Sequence, residues 1–169
     1  MLAKFGYLRD QVDERDHIFV PDEGNAAVLP AHVDLSKTPY EPPIYDQRPL
    51  ASCSAHAIGA MIAFVCAKEG LASFAPSRLF IYFNERKIEN TIPQDCGAQI
   101  RDGMKSIASS GVCAEEHWGY DAAKFAEPPP QDPCYTNALQ YRAIRYFRIS
   151  GGLPELKACL SAGYPLSLG

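Results

Sequence analysis

The stretch "YDQRPLASCSAHAIGAMIAF", which runs from Tyr45 to Phe64, decides the fold. A proline-containing loop leads into a run of strong helix formers, and Cys53 stands at the junction. Ser52 is a favourable N-cap residue and Gly70 is a typical helix stop. The sequence therefore predicts a helix from about Cys53 to Gly70. Because apolar residues occupy nearly every face of it, we expect this helix to be buried in the middle of the fold.

A cysteine in the first turn of a helix faces unpaired backbone N–H groups and the positive end of the helix dipole. Both favour the thiolate, which is the nucleophilic form. Gln47, on the loop before the helix, carries an amide that donates hydrogen bonds. A nucleophile that attacks a carbonyl needs donors where the oxyanion forms, and Gln47 and the Cys53 backbone N–H would supply two. On spacing alone, a structural cysteine beside an ordinary loop glutamine is an equally good interpretation.

The composition is that of an ordinary soluble globular protein, with 47% hydrophobic and 21% charged residues. The 169 residues suit one domain, and the net charge of −4 without a basic run argues against nucleic acid or an anionic membrane as partner. No signal peptide or membrane-spanning stretch is visible, so the compartment stays open between the cytoplasm and non-classical export. The oligomeric state is equally open. The six cysteines are expected to be mostly reduced thiols, since disulfide frameworks belong to short secreted chains.

The chain reads as helices first and strands later, which is an α+β arrangement. Residues 1–28 are polar and aperiodic and are predicted to form an N-terminal arm, with residues 29–169 as the domain. Alternation and an abundance of Tyr, Phe and Ile predict a strand over 139–149, and residues 164–169 are expected to begin another. Further helices are predicted over 76–89, 98–110 and 153–163.

The segment "DQRPLASCSAHA" resembles the active-site segment of papain-like cysteine peptidases, in which a glutamine, five intervening residues and the nucleophilic cysteine open the central helix. "LPAHVDL" resembles the family's mature N-terminus. "FGYLRDQVDERDH", "PSRLFIYFNER" and "DCGAQIRDGMKSIASSGVCAEEHWGY" resemble further parts of its bacterial members, so the resemblance covers about residues 5–169.

This resemblance implies a papain-like α+β fold. A helical left half, whose long central helix bears the nucleophile, would be followed by the beginning of an antiparallel β half. It implies that Cys53 is the nucleophile and Gln47 the oxyanion-hole donor, and that Gly97 and Ala98 pair with the backbone of an extended peptide or protein substrate. It implies no metal and no cofactor.

The segment Leu50–Ser54 keeps only Ser52 and Cys53 of the family's local signature, and Asp95 departs from the family pattern as well. Leu50 replaces the family's first cysteine and Asp95 falls where its disulfide partner would be, so that no orphan thiol is left. Ser54 stands in place of a tryptophan. This last change is expected to open the wall of the cleft and to alter the substrate preference.

A peptidase of this type also needs a histidine base and an asparagine that orients it. They are expected about 130–150 residues after the cysteine, a window that opens beyond residue 169, and we therefore expect these residues to be the first part of a longer catalytic domain. His56 is predicted to be a buried, hydrogen-bonded core residue and His117 a partly exposed surface residue. No role is assigned to His17 or His32.

The function predicted from these residues is thiol-dependent hydrolysis of peptide bonds. One alternative is a catalytically inert papain-like peptide-binding module, or a truncated fragment. A second alternative is a zinc protein that uses Cys53 with His56 and Cys113 with His117, whose spacings have metal-site character. The arm over residues 1–28 is open to two interpretations, a short pro-segment that covers the cleft or a flexible leader.

Overall fold

The computed structural model describes residues 6–21, 29–72, 74–143 and 145–169, and three helices form its centre. Helix α1 (Cys53–Lys68) packs against α2 (Arg78–Ile88) and α3 (Ile100–Ser110), which also pack on each other. Every residue of α1 is buried or half-buried, which confirms the predicted central helix. The buried core residues are Ala55, Ile58, Phe80, Ile81, Tyr82, Ile107, Val112, Cys113, Cys134 and Ala138.

Local sequence sets the ends of the helices. Ser77 caps α2 by accepting a hydrogen bond from the backbone N–H of Phe80 (3.2 Å). Helix α3 ends at Gly111, whose φ of 77° lies in the left-handed region that favours glycine. A fourth helix, α4 (Leu153–Ser161), follows later in the chain. The predicted helices are thus confirmed, with ends that differ by one or two residues.

The remaining regular structure is slight. Strands β1 (Tyr7–Leu8) and β2 (Ala98–Gln99) form a two-stranded parallel sheet. Helical turns cover Leu35–Lys37, Ala122–Lys124 and Gln131–Tyr135, and the last of them continues into Thr136–Ala138. No helix in the described part of the chain combines the length and the apolar character needed to cross a bilayer.

The strand predicted for residues 139–149 is wrong for the part that the structure describes, which excludes residue 144. This segment makes one isolated bridge, between Arg148 and Ile18. Alternating apolar residues form a strand only where another strand offers backbone partners, and the aromatic residues here contact side chains instead. Tyr141, for example, stacks on Phe74 with ring centroids 3.9 Å apart. Residues 164–169 likewise have no regular structure.

The N-terminal arm is anchored on the domain over its described part, residues 6–21; residues 1–5 and 22–28 lie outside the described residues. The Asp10 carboxylate accepts a hydrogen bond from the backbone N–H of Arg101 in the first turn of α3 (3.1 Å). Asp16 pairs with the guanidinium groups of Arg101 and Arg148. The side chains of Asp16 and Arg101 are only 7% and 8% exposed, so this is a largely desolvated ion pair.

Candidate active site

Cys53 is the first residue of α1 and its thiol is free and half-buried. The helix N-terminus directs unpaired backbone N–H groups and the positive end of the dipole towards this position. The four buried cysteines are chemically different, because burial raises the pKa of each of their thiols: Cys66, Cys113, Cys134 and Cys159. Of the six cysteines, Cys53 and Cys96 are the two that are not buried, and Cys96 is exposed and lies outside the helices.

Ser52 occupies the N-cap position of α1, as the sequence predicts, but its side chain makes no capping hydrogen bond. Its hydroxyl instead lies 2.6 Å from the Tyr120 hydroxyl and 3.3 Å from Nδ1 of His56. The first N–H groups of α1 are consequently left uncapped by this side chain. This arrangement keeps the helix terminus beside Cys53 available as a donor of hydrogen bonds.

Gln47 lies on the loop that feeds α1, and both its side chain and its backbone are held there. Its Nε2 donates to the carbonyl oxygen of Leu50 (3.0 Å), and its own carbonyl oxygen accepts a hydrogen bond from the Tyr120 hydroxyl (2.7 Å). Arg48 adopts a φ of 51°, and its backbone N–H donates to the Asp46 carboxylate (2.8 Å). The loop between Gln47 and Cys53 is therefore a defined turn.

Asp95 joins this loop to the segment that carries Gly97 and Ala98. One carboxylate oxygen accepts hydrogen bonds from the backbone N–H of Ala51 (2.9 Å) and from the hydroxyl of Tyr82 (2.8 Å). The backbone N–H of Gly97 in turn donates to the same Tyr82 hydroxyl (3.3 Å). At the two positions where the resemblance places a disulfide, the chain thus has a buried Leu50 and a hydrogen-bonded carboxylate.

Gly97 and Ala98 are in contact with the N-terminal arm. Ala98 pairs with Tyr7 in the parallel sheet, and its backbone N–H donates to the carbonyl oxygen of Gly6 (2.9 Å). Gly97 has a φ of 83°, and a β-carbon there would overlap the Gly6 carbonyl. A β-carbon on Gly6 would overlap the carbonyl oxygen of Ala51, two residues before the cysteine. The arm therefore packs between strand β2 and the loop that precedes α1, in close contact with both.

His56 is buried, at 8% exposure, and hydrogen-bonded, which confirms its predicted place in the core. Its Nδ1 lies 2.8 Å from the carbonyl oxygen of Ser52, and since a carbonyl only accepts, Nδ1 carries the proton. Burial lowers the pKa of His56, so the ring is the neutral Nδ1–H tautomer. The Nδ1 proton of His56 therefore points towards the carbonyl oxygen of Ser52, at the N-terminus of α1.

The other histidines lie apart from this network. His117 is partly exposed, as predicted, with Nε2 3.9 Å from a Glu116 oxygen. His17 packs edge-on against Phe147 with centroids 6.5 Å apart, and His32 is exposed. Within the described residues there is no group of three or more His, Cys, Asp or Glu side chains that is arranged to hold a metal ion.

The expectation that Ser54 opens the cleft wall is wrong, because Ser54 is 2% exposed and faces the core. Its hydroxyl donates to Oε2 of Glu85, which is fully buried in α2 (2.9 Å). The other oxygen, Oε1, is a buried atom without a hydrogen-bond partner. Burial raises the pKa of this carboxyl well above its usual range, which favours its neutral, protonated form.

Two residues of this region carry no signal in the sequence. Tyr120 lies in a proline-rich loop far from Cys53 along the chain, and Glu85 stands in a helical segment where a charged residue would ordinarily face solvent. Only the packing of α2 and of the 114–120 loop against α1 brings them to the site. A local pattern could have indicated neither position.

Solved structures with the same architecture are those of papain-like enzymes. Xylellain, a cysteine protease from Xylella fastidiosa, matches with a TM-score of 0.88 and 38% identity over 95% of this chain and 64% of its own. A procathepsin B from Trypanosoma congolense matches with a TM-score of 0.73 and 16% identity over 93% of this chain and 56% of its own, a likeness of fold alone. The fold is therefore the papain-like α+β fold.

The sequence relatives agree with the fold. An uncharacterized peptidase C1-like protein of Acanthamoeba polyphaga mimivirus is 36% identical over 98% of this chain and 60% of its own length. No protein-family model matches the sequence. The chain therefore resembles papain-like cysteine peptidases in both sequence and fold. It spans 60% of the length of the viral relative and 64% of that of xylellain.

Proposed function

We propose that this chain provides the nucleophile and the oxyanion-binding part of a papain-like cysteine peptidase, which hydrolyses peptide bonds in peptides or proteins. The observation that carries the proposal is the position of Cys53, an accessible thiol at the N-terminus of a buried central helix. Gln47 and the backbone N–H of Cys53 are proposed to donate hydrogen bonds to the oxyanion. Gly97 and Ala98 are proposed to bind the backbone of an extended substrate.

In this mechanism the Cys53 thiolate attacks the carbonyl carbon of the scissile bond, and the carbonyl oxygen becomes an oxyanion. The C–N bond then breaks as the leaving amine takes a proton from an imidazolium, and a thioester remains. Water hydrolyses the thioester and regenerates the thiol. The histidine base and its asparagine are proposed to lie outside residues 1–169, since His56 is a buried core residue.

The test is the intact mass of the purified protein before and after incubation with an epoxysuccinyl peptide inhibitor. We expect one adduct, located at Cys53 by peptide mapping and lost in Cys53→Ala. The control is Cys96→Ala, which removes the other accessible thiol and should leave the adduct in place. An adduct on Cys96, or none at all, would contradict the peptidase and favour an inert peptide-binding module.

The arm over residues 1–28 is proposed to act as a cleft-covering pro-segment of the peptidase domain, 29–169. The support is the pairing of β1 with Ala98, at the backbone groups that are proposed to bind substrate. The backbone of Gly6 fills the space between Ala51 and Gly97, since even a β-carbon on Gly6 or on Gly97 would overlap the neighbouring backbone. A substrate backbone therefore cannot occupy this space while the arm is docked. Asp10 and Asp16 hold the following residues on α3.

Substitution of Gly6 by valine should release the arm, because the new side chain would overlap the backbone of Ala51. We expect labelling of Cys53 by an epoxysuccinyl peptide inhibitor, which would use the backbone of Gly97 and Ala98, to become roughly tenfold faster, since a docked arm favoured by about 1–2 kcal/mol reduces the fraction open to a peptide by about that factor. The control is Val12→Ala, a change at an arm residue that is 84% exposed. An unchanged rate, together with faster proteolysis of the arm, would contradict the cover.

A further inference from the structure

We propose that Tyr120 is a positioning residue. It fixes the loop between Gln47 and Cys53, which carries the proposed oxyanion donor, through a chain of hydrogen bonds that all point in one direction. The chain runs from His56 through Ser52 and Tyr120 to the backbone of Gln47. This inference rests on the proposed function, since it assigns a role for Gln47 in oxyanion binding.

The direction of the chain follows from counting protons. The carbonyl oxygen of Gln47 only accepts, so the single hydroxyl proton of Tyr120 is donated to it (2.7 Å). The Ser52 hydroxyl, 2.6 Å from the Tyr120 oxygen, must therefore be the donor in that contact. With its proton used, Ser52 faces His56 as an acceptor, which agrees with the proton on Nδ1 of that ring. No other assignment satisfies all the close contacts.

Tyr120 is itself held on several sides. Its backbone N–H donates to Oε1 of Glu115 (2.7 Å), and the same oxygen accepts from Arg78 (2.9 Å). The Arg78 guanidinium lies over the Tyr120 ring at 4.9 Å, and the His56 ring meets it edge-on at 4.8 Å. Burial raises the pKa of Tyr120, which keeps the hydroxyl protonated as a donor.

This arrangement connects the residue before the nucleophile with the loop residue that carries the proposed oxyanion donor. Ser52 immediately precedes the nucleophile and Gln47 carries the proposed oxyanion donor, and the Tyr120 hydroxyl is bonded to both. Its removal would leave the Gln47 carbonyl and the Ser52 hydroxyl without this partner and free the loop to shift. Small displacements of a preorganised donor weaken oxyanion binding strongly, while they leave a thiol accessible.

The test compares two reactions of Cys53 in Tyr120→Phe. A peptide aldehyde adds the thiol across its C=O bond, the sulfur to carbon and the proton to oxygen, and the adduct places an oxygen in the oxyanion site. Iodoacetamide forms an S–C bond as iodide leaves and the thiol proton goes to solvent, so that no oxyanion arises. We expect aldehyde affinity to fall about tenfold, the factor for one lost hydrogen bond, with the iodoacetamide rate within twofold of the wild type.

The matched control is Tyr135→Phe, which removes another half-buried tyrosine hydroxyl, one that donates to Asn84 (2.9 Å) away from the site. It should change neither reaction. Equal losses in both reactions, or an unchanged aldehyde affinity in Tyr120→Phe, would overturn the role of Tyr120 alone. A wild-type protein in which the aldehyde forms no adduct with Cys53 would overturn the proposed function and this role with it.

Discussion

Replacement of Arg86 by methionine is expected to lower the free energy of unfolding by about 3–5 kcal/mol. Arg86 is fully buried in α2, and its guanidinium donates to the backbone carbonyls of Ile92, Gln94 and Phe125. It also lies over the ring of Tyr82 at 4.0 Å. Each of these part-buried carbonyls left without a donor costs about 1–3 kcal/mol, with the lower value where water reaches it, and the relief of burying one charge fewer offsets part of the sum.

The measurement is urea denaturation at neutral pH, followed by far-ultraviolet circular dichroism. The control is Arg142→Met, because Arg142 also donates to a backbone carbonyl, that of Ala108, but lies exposed. Its loss should stay below about 1 kcal/mol. A loss of the same small size for Arg86→Met would mean that water replaces the guanidinium, and that the 92–97 segment beside the site does not depend on it.

Replacement of Glu85 by glutamine should change the pH dependence of stability. Burial, with the charges of Glu89 and Asp102 in support, raises the pKa of Glu85, while Ser54 and Arg86 act in the opposite direction. The folded protein therefore keeps a proton that the unfolded chain releases above its ordinary value of 4.5. The stability of the wild type should then fall by about 1.4 kcal/mol for each pH unit, until the folded carboxyl also ionises.

Glutamine has no proton to release and retains an oxygen for the Ser54 hydroxyl. Glu85→Gln should therefore match the wild type most closely near pH 4 and become progressively more stable than it towards pH 7. Denaturant titrations at several pH values measure the difference. Glu116→Gln is the control, since that side chain is 79% exposed and has no burial to relieve. A difference that stays constant with pH would contradict a buried neutral acid.

Much of the helical framework could be predicted from sequence because its signals are local. The stop at Gly70 and the apolar residues of α1 act within a few residues of themselves. The strand expected over 139–149 failed for the complementary reason. A strand depends on a partner elsewhere in the chain, and Arg148 makes the one bridge found in the described part of this segment.

The site divides in the same way. A cysteine at the first position of a helix, with a glutamine on the preceding loop, can be identified from spacing and from the resemblance. The direction in which the neighbouring side chains point cannot be identified in this way. Ser54 was expected at the cleft wall and instead donates to Glu85 in the core, and the Ser52 hydroxyl turns away from its helix. Half a helical turn separates an inward from an outward direction, and packing against α2 decides between them.

The sequence by itself determined the central helix, the cysteine at its start and the resemblance to papain-like peptidases, because these depend on residues that are adjacent in the chain. Only the tertiary structure decided that the arm pairs with Ala98, that Asp95 ties the loop to β2 and that Tyr120 bonds to both Gln47 and Ser52. These contacts join residues that lie far apart in sequence. Their hydrogen bonds have no local pattern, since they form only after the helices have packed and excluded water.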